Sequence, residues 1–463
     1  MSSTSDTQPL WSLTIAEAST RILRRKLSPV DLVEAYLDRI AAVDDKVHTY
    51  IHVAVDRARA EARQAADAIA SGRWRGPLHG LPFGVKDNYD AVGMPATGGS
   101  KLRLNHMPEQ DAELVRRLRE AGAILLGKLA TWEYGTGNGG EYFDLPFPPA
   151  RNPWDTARFT GGSSTGAGAS VAAGTAMFAL GSDTTGSVRL PAGATGVVGT
   201  IPTPGSISLA GILPNCYSLD VPGPFTWTVE DNAIVLDALL EDRPPQALSR
   251  SIAQGIHGLR IAVVRSPGPG FPEPDEPLRR AFDDALRVLT DLGARPVDVT
   301  LPVPAAECFN VTRLIGPAES AAIHEPELRE RPEDMGYALR DKLLAGSMIR
   351  AVDYIAAQRR RKAIATAMKA LMRNYDALVT FGTLHTPPRL GVEPEMSAFT
   401  VETMLTPFNL AALPALVQCT GFTPEGLPLH WQIAGNPGDE AAMLRLAAAF
   451  EAATPWRQRR PQL

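Results

Sequence analysis

The sequence is poor in cysteine and lacks a surplus of positive charge. Cys216, Cys308 and Cys419 are the only cysteines among 463 residues, and their wide separation excludes a disulfide framework and a CxxC metal site. The 46 Lys and Arg residues against 51 Asp and Glu give a formal charge of −5, which argues against a nucleic-acid partner. The first residues lack a basic region followed by an apolar run, so we expect no signal peptide and a cytoplasmic protein.

One segment of the chain is almost without charge. Between Phe159 and Leu219 only Asp183 and Arg189 are charged, although the chain average of 21% would place about 13 charged residues among these 61. Glycine, serine and threonine fill 28 of the positions, which argues against a membrane span. The helix-compatible run GASVAAGTAMFALG argues against a flexible linker. We therefore expect a dry site inside the fold, where backbone NH groups bind the ligand.

Helical patterns alternate with short apolar runs along the chain. Residues 1–70 are predicted to be mostly helical, with one helix beginning at Ser28 and Pro29. The runs AILLG, LRIAVV and YDALVTF predict buried strands, and further helices are predicted over residues 53–71, 111–122, 277–292 and from 439 onward. Strands that alternate with helices in this way predict an α/β fold built in layers.

Three kinds of site fit the segment rich in serine and glycine. Gly162 to Gly166 has the GxSxG spacing of an α/β-hydrolase elbow, but the preceding NPWDTARFT does not look like a strand. GGSSTGAG is also similar to a phosphate-binding loop, although no GK[ST] follows. The third interpretation combines Lys86, Ser163 and Ser187. None of the eight histidines lies in this segment, so a buried lysine would have to act as the base.

The surroundings of these three residues resemble the amidase signature (Ser-cisSer-Lys) family. Lys86 lies in HGLPFGVKDN, Ser163 in TGGSSTG and Ser187 in GSDTTGSVRLPAG, and ARNPWD precedes the first serine loop. AGAILLGK lies between Lys86 and the serine loops, and TVEDNAIVLDAL, NLAALPALVQCTGF and GLPLHWQIAG come after them, all in family order, so the resemblance covers roughly residues 25–455. It implies a single α/β domain with a mixed central β-sheet covered by helices on both faces. Residues 1–70 would be a helical segment packed on the core, residues 71–463 the amidase signature domain, and about 300–405 the substrate entrance.

The resemblance also implies roles for individual residues. Ser187 would attack the substrate carbonyl, Ser163, preceded by a cis peptide bond, would relay the proton, and Lys86 would be the final base. The oxyanion hole would use the NH groups of Thr184, Thr185, Gly186 and Ser187. Thr185 stands where the family commonly has glycine, and its β-branched side chain disfavours positive φ.

Other residues of the site keep two interpretations. Ser164 caps the next helix or serves as a supporting hydrogen-bond donor, and Lys86 on its own could pair with Asp87. Asp183 and Arg189 pair and stiffen the turn, or Arg189 anchors a substrate carboxylate. The substrate pocket is predicted to include Gly137, Asn138, Gly139 and Tyr142.

These observations predict an amidase-type serine hydrolase that needs neither a metal nor another cofactor. Its substrates would be small molecules with a C–N acyl bond and neutral or apolar flanks, either amides or carbamates (urethanes), cleaved through an acyl-enzyme on Ser187. No nucleic acid or membrane partner is expected, and a homodimer is compatible with the sequence. Two alternatives remain, the glutaminase subunit of a transfer-RNA amidotransferase and a non-catalytic binding protein.

Overall fold

A computed structural model describes residues 8–136, 144–242 and 244–463, and the structural statements below concern these residues. Their strands are β1 (Tyr50–Val53), β2 (Pro82–Lys86), β3 (Ile124–Leu129), β4 (Phe178–Asp183), β5 (Val198–Ile201), β6 (Val221–Thr226), β7 (Arg260–Val263), β8 (Arg295–Asp298), β9 (Ala377–Thr380), β10 (Ala415–Phe422) and β11 (Pro428–Gly435).

The α-helices of the described residues are α1 (Ile15–Leu23), α2 (Pro29–Val47), α3 (Val55–Ala70), α4 (Glu113–Glu120), α5 (Thr165–Ala173), α6 (Arg189–Thr195), α7 (Val229–Leu239), α8 (Leu248–Ser251), α9 (Glu276–Asp291), α10 (Ala305–Ile323), α11 (Glu325–Glu330), α12 (Tyr337–Ser347), α13 (Ala351–Met372), α14 (Glu393–Val401), α15 (Thr406–Ala411) and α16 (Glu440–Ala453). None of them combines the length and the apolar character needed to cross a bilayer.

The strands form one mixed sheet in the order β1-β3-β2-β4-β6-β5-β10-β11-β9-β7-β8. β2 runs parallel to both β3 and β4, and β7 runs parallel to both β8 and β9, whereas the remaining pairs are antiparallel. Helices flank this sheet, as the contacts of α5 with β4 and of α16 with β11 show. The predicted α/β class with a mixed central sheet is therefore confirmed.

The local sequence signals explain most of these elements. Ser28 accepts a hydrogen bond from the Val30 NH and Pro29 occupies the first turn, so α2 begins where the sequence predicts. The N-terminal 70 residues also supply β1, which pairs antiparallel with β3. That strand has only four residues, all half-buried, and its pattern is too short to distinguish it from the helices around it.

Two neighbouring parallel strands bring the two halves of the site together. Val85 on β2 lies opposite Leu180 on β4, so Lys86 at the end of β2 and the loop after Asp183 lie at the same edge of the sheet. Every residue of α5, between the two serine loops, is buried. A helix buried all round has no face for charged side chains, and this explains the low charge of the segment.

Candidate active site

Lys86 is the last residue of β2 and is fully buried. Its Nζ lies 2.7 Å from Ser163 Oγ, 3.1 Å from Ser182 Oγ and 3.4 Å from the Ser182 carbonyl oxygen, so these hydrogen-bond partners are uncharged. Burial lowers the pKa of Lys86 from its usual 10.5 to about 7, and the attraction of Asp220 and Asp183 offsets this only in part. A substantial fraction of this amine is therefore neutral near pH 7.

A second buried lysine, Lys128 on β3, has a different environment. Its Nζ lies 2.9 Å from Asp87 Oδ1 and donates to the carbonyl oxygens of Tyr89 and Pro95. Burial lowers the pKa of Lys128, and the nearby carboxylate of Asp87 opposes that shift. Asp87 is thus the partner of Lys128, and the alternative that pairs it with Lys86 is wrong. The two lysines differ because Lys128 pairs with a carboxylate, whereas the hydrogen-bond partners of Lys86 are two hydroxyl groups and one carbonyl oxygen.

Close packing defines the position of Ser163. The Gly162–Ser163 peptide bond is cis, and a Cβ on Gly162 would come within 2.3 Å of the Trp132 indole, so only glycine fits there. Gly135 closes the other side with φ +73°, and a Cβ at this residue would lie 3.4 Å from Ser163 Oγ and 3.7 Å from Lys86 Nζ. Gly162 therefore packs against the Trp132 indole, and Gly135 lies beside the hydroxyl of Ser163 and the amine of Lys86.

Ser164 connects the two serine loops. It precedes α5, but its side chain does not cap that helix. Its hydroxyl donates instead to the Ser182 carbonyl oxygen at 3.2 Å and accepts from the Ser182 NH at 3.4 Å, while the Ser164 NH donates to the Ser187 carbonyl oxygen at 3.3 Å. The capping interpretation is therefore wrong, and Ser164 holds the loop that carries Ser187 against the loop that carries Ser163.

Asp183 and Arg189 form a fully buried ion pair, with Arg189 Nε 3.1 Å from Asp183 Oδ2. The carboxylate also accepts from the NH groups of Gly186 at 2.7 Å and Val188 at 3.0 Å. Burial alone would raise the pKa of Asp183, but the charge of Arg189 and these hydrogen bonds hold it below its usual value. The guanidinium also donates to Leu405 O, Gln432 Oε1 and Asn409 Oδ1. Arg189 thus stiffens the turn and has no exposed surface with which to anchor a substrate carboxylate.

The loop from Thr184 to Ser187 has ordinary backbone geometry at Thr185. The positive φ of this loop falls on Gly186, at +139°, and Thr185 is not among the described residues with positive φ. A β-branched residue is therefore accommodated where the family commonly has glycine. The Gly186 NH donates to the carboxylate of Asp183, whereas the family resemblance implied that this NH would bind the oxyanion.

Ser187 is half-buried and faces a cavity of about 490 Å³. The neighbouring loops contribute Trp132, Gly135, Thr136, Gly162, Thr184, Thr185, Gly186, Leu190 and Asn215 to its wall. The segment 300–405 contributes Phe309, Thr312, Arg313, Gly316, Pro317, Asp341, Lys342, Ala345, Ser397, Thr400, Val401 and Leu405. The predicted pocket residues Gly137, Asn138, Gly139 and Tyr142 lie outside the described residues. The wall combines apolar side chains with Arg313, Asp341 and Lys342, and the neutral or apolar flanks expected of the substrate stay a prediction.

Sequence reasoning missed the amine of Lys342 and its polar partners in this wall. Lys342 Nζ, from α12, lies 2.7 Å from Asn215 Oδ1 and 3.2 Å from Thr136 Oγ1. Burial lowers the pKa of Lys342 to about 8. These residues come from three separate segments and belong to none of the quoted motifs, so no sequence signal joins them.

Within the part of the chain that the structure describes, no group of three His, Cys, Asp or Glu side chains is placed to hold a metal ion.

The chain is similar to known amide-cleaving enzymes over nearly its whole length. A sequence model of the family described as Amidase matches residues 31–444. An amidase from Pseudomonas putida is 36% identical over 474 residues, which cover 98% of both chains. A glutamyl-tRNA(Gln) amidotransferase subunit from Carboxydothermus hydrogenoformans is 34% identical over 489 residues, which cover 98% of this chain and 100% of the other.

Solved structures agree with this similarity. An amidase crystal structure has a TM-score of 0.85 and 32% identity, and the match covers 96% of this chain and 100% of that one. The complex of 6-aminohexanoate cyclic dimer hydrolase with its substrate has a TM-score of 0.88 and 26% identity, covering 98% and 99% of the two chains. The protein belongs to the amidase signature family.

Proposed function

We propose that this amidase-family protein hydrolyses the C–N acyl bond of small-molecule amides or carbamates through an acyl-enzyme on Ser187. The observation that carries this proposal is the fully buried amine of Lys86, 2.7 Å from the Ser163 hydroxyl and next to the loop that presents Ser187 to a cavity. A serine hydroxyl is a weak nucleophile until a base removes its proton, and a lysine that is partly neutral near pH 7 is such a base.

The surroundings of Lys86 favour a lone pair aimed at Ser163. Ser182 offers two acceptors to the amine, its carbonyl oxygen and its Oγ, and Asn88 Nδ2 fixes that Oγ with a hydrogen bond of 3.0 Å. A neutral amine has two hydrogens, and both can be directed at Ser182. Its lone pair then faces the hydroxyl of Ser163, as a base in this position requires.

The proposed reaction has two halves. Ser187 Oγ forms a bond to the carbonyl carbon while its proton moves to Ser163 Oγ, and the Ser163 proton moves to Lys86 Nζ. Backbone NH groups of Thr184, Thr185 and Ser187 would stabilise the tetrahedral oxyanion. When the C–N bond breaks, Lys86 returns the proton through Ser163 to the leaving nitrogen. Water then attacks the acyl-enzyme, releases the acid and restores the Ser187 hydroxyl.

The test is hydrolysis of a panel of p-nitroanilides and aryl carbamates by the purified chain, without ATP or a partner protein. We expect turnover by the wild type and by Ser266→Ala, which changes an exposed serine that does not line the cavity. We expect none by Ser187→Ala, and circular dichroism would show that this variant is folded. Turnover by Ser187→Ala would refute the proposal. An inert wild type that also fails to react with a sulfonyl fluoride would favour a non-catalytic binding protein.

The glutaminase subunit of a transfer-RNA amidotransferase is the second candidate. The 34% identity to one such protein over its full length favours it. That function would require release of ammonia from glutamine and a partner that uses it, whereas a free-standing amidase needs neither. Glutamine hydrolysis that appears only when the amidotransferase partner proteins are added would support this candidate over the first. The homodimer with which the sequence is compatible also stays a prediction.

A further inference from the structure

The side chain of Asn215 lies between the catalytic loops and the helical wall of the cavity. Its Nδ2 donates to Thr184 Oγ1 at 3.1 Å and to the Gly135 carbonyl oxygen at 3.3 Å. Its Oδ1 accepts from Lys342 Nζ at 2.7 Å and lies 3.1 Å from Ser320 Oγ, whose single hydrogen goes to the Asn215 carbonyl oxygen at 2.6 Å. One amide therefore contacts four separate segments of the chain.

The partners of Asn215 fix which way its amide points. Thr184 Oγ1 lies 2.6 Å from Asp220 Oδ1 and donates its hydrogen to that carboxylate, so it can only accept from Asn215. An ammonium group has no acceptor, so Lys342 can only donate. The NH₂ group must face the catalytic loops and the oxygen must face α12. On the side that faces the catalytic loops, an aspartate of the same shape would place a carboxylate oxygen against two acceptors. Aspartate therefore does not replace this asparagine.

Asn215 lies next to both chemical parts of the proposed site. A Cβ at Gly135 would be 3.8 Å from Asn215 Cβ, and also 3.4 Å from Ser163 Oγ and 3.7 Å from Lys86 Nζ. Thr184 begins the loop assigned to the oxyanion. The same side chain thus contacts the backbone of Gly135, beside the proton relay, and the side-chain hydroxyl of Thr184, at the start of the loop assigned to the oxyanion.

The main chain at Asn215 is anchored independently of its side chain. Its NH donates to Asp220 Oδ2 at 2.8 Å, and its carbonyl oxygen accepts from Ser320 Oγ at 2.6 Å. Because these bonds survive a change of side chain, the amide can be removed without releasing the loop. A role of this side chain in the reaction is therefore separable from a role in folding.

We propose that Asn215 is a positioning residue of the reaction, which holds Thr184 and Gly135 at a fixed separation and ties them to Lys342 on the cavity wall. This inference rests on the proposed function, since it concerns the alignment of the oxyanion loop with the proton relay. Misplacement of reacting groups by about 1 Å lowers rates by about 10²-fold. Loss of the amide should therefore lower kcat more than it raises KM.

The test compares Asn215→Ala, Thr184→Val and the double variant, with Asn374→Ala as the matched control. Asn374 is exposed, and its side chain donates to carbonyl oxygens at the end of α13, the helix that precedes it. Active sites are counted by sulfonyl fluoride titration, and kcat and KM are measured on one p-nitroanilide. We expect Asn215→Ala to lose about 10²-fold in kcat, with KM and the unfolding temperature close to those of the wild type.

The double variant separates positioning from a general loss of structure. Both single changes remove the same Asn215–Thr184 hydrogen bond, so the double variant should lose clearly less than the product of the two single losses. Full multiplicativity, a change confined to KM, or a loss explained by fewer titratable sites would overturn the inference. Normal kcat in Asn215→Ala alongside an inactive Ser187→Ala would overturn this inference alone. Turnover by Ser187→Ala would instead overturn the proposed function.

Discussion

Replacement of Lys86 by methionine removes the proposed base and keeps a long, buried side chain in its place. A lysine with its usual pKa of 10.5 is neutral in about 3 molecules of 10⁴ at pH 7, whereas a pKa of about 7 makes about half of the molecules neutral. Burial thus raises the concentration of the basic form by about 10³-fold at this pH. We expect Lys86→Met to lose about 10²- to 10⁴-fold in kcat/KM at neutral pH, the range that a positioned base contributes.

The assay is kcat/KM for an activated amide between about pH 5 and pH 10. Because neutral Lys86 is the active form, the wild-type profile should rise with pH and level off above about 7. Lys86→Met should lose this ionisation. Lys86→Arg should be equally inactive, since guanidinium keeps the charge but does not deprotonate. Lys46→Met, which changes an exposed lysine on α2, is the control. An unchanged rising limb in Lys86→Met, or activity in Lys86→Arg, would refute the reasoning.

Three further predictions concern stability and packing. The pKa of Lys86 is lower in the folded state than in the unfolded state, so the stability of the wild type should fall relative to that of Lys86→Met as the pH drops from about 10.5 to 7. The unfolding temperatures of the two proteins should therefore diverge over this range. Curves of unfolding temperature against pH that run parallel would contradict this prediction. Arg189→Met leaves the buried Asp183 carboxylate unpaired and should lose about 3–5 kcal/mol in urea denaturation, so a near-native midpoint would exclude the ion-pair argument. Gly135→Ala places a methyl group beside Ser163 and Lys86 on a residue with φ +73°, and we expect it to lower kcat/KM by about 10-fold or more. Full activity of this variant would show that the contact is unimportant.

The positions of Lys86 and the serine loops were predictable because each lies in a recognisable motif. The strand before Asp183 was not predicted: the run GASVAAGTAMFALG is compatible with a helix, but its last four residues belong to β4, whose parallel pairing with β2 places Lys86 and the loop after Asp183 at one sheet edge. The pairing of Asp183 with Arg189 was also predictable, since they are the only charges in a buried segment.

The contacts of Asn215 and Lys342 were not predictable from the sequence. They lie 127 positions apart, on a loop and on a helix, and neither local periodicity nor residue spacing indicates that they meet. The requirement for glycine at Gly162 is likewise invisible in the sequence, because it arises from the indole of Trp132, which approaches from another segment. Long-range packing, rather than local propensity, decides these features of the site.

The central claim is a covalent acyl intermediate on the hydroxyl that faces the cavity. Mass spectrometry of the intact protein, acid-quenched during turnover of an activated amide, would show the added acyl mass, and peptide mapping would locate it. The account predicts the adduct on Ser187 in the wild type and its absence in Ser187→Ala. An adduct on Ser163, on Lys86 or on any other residue of the wild type would contradict it.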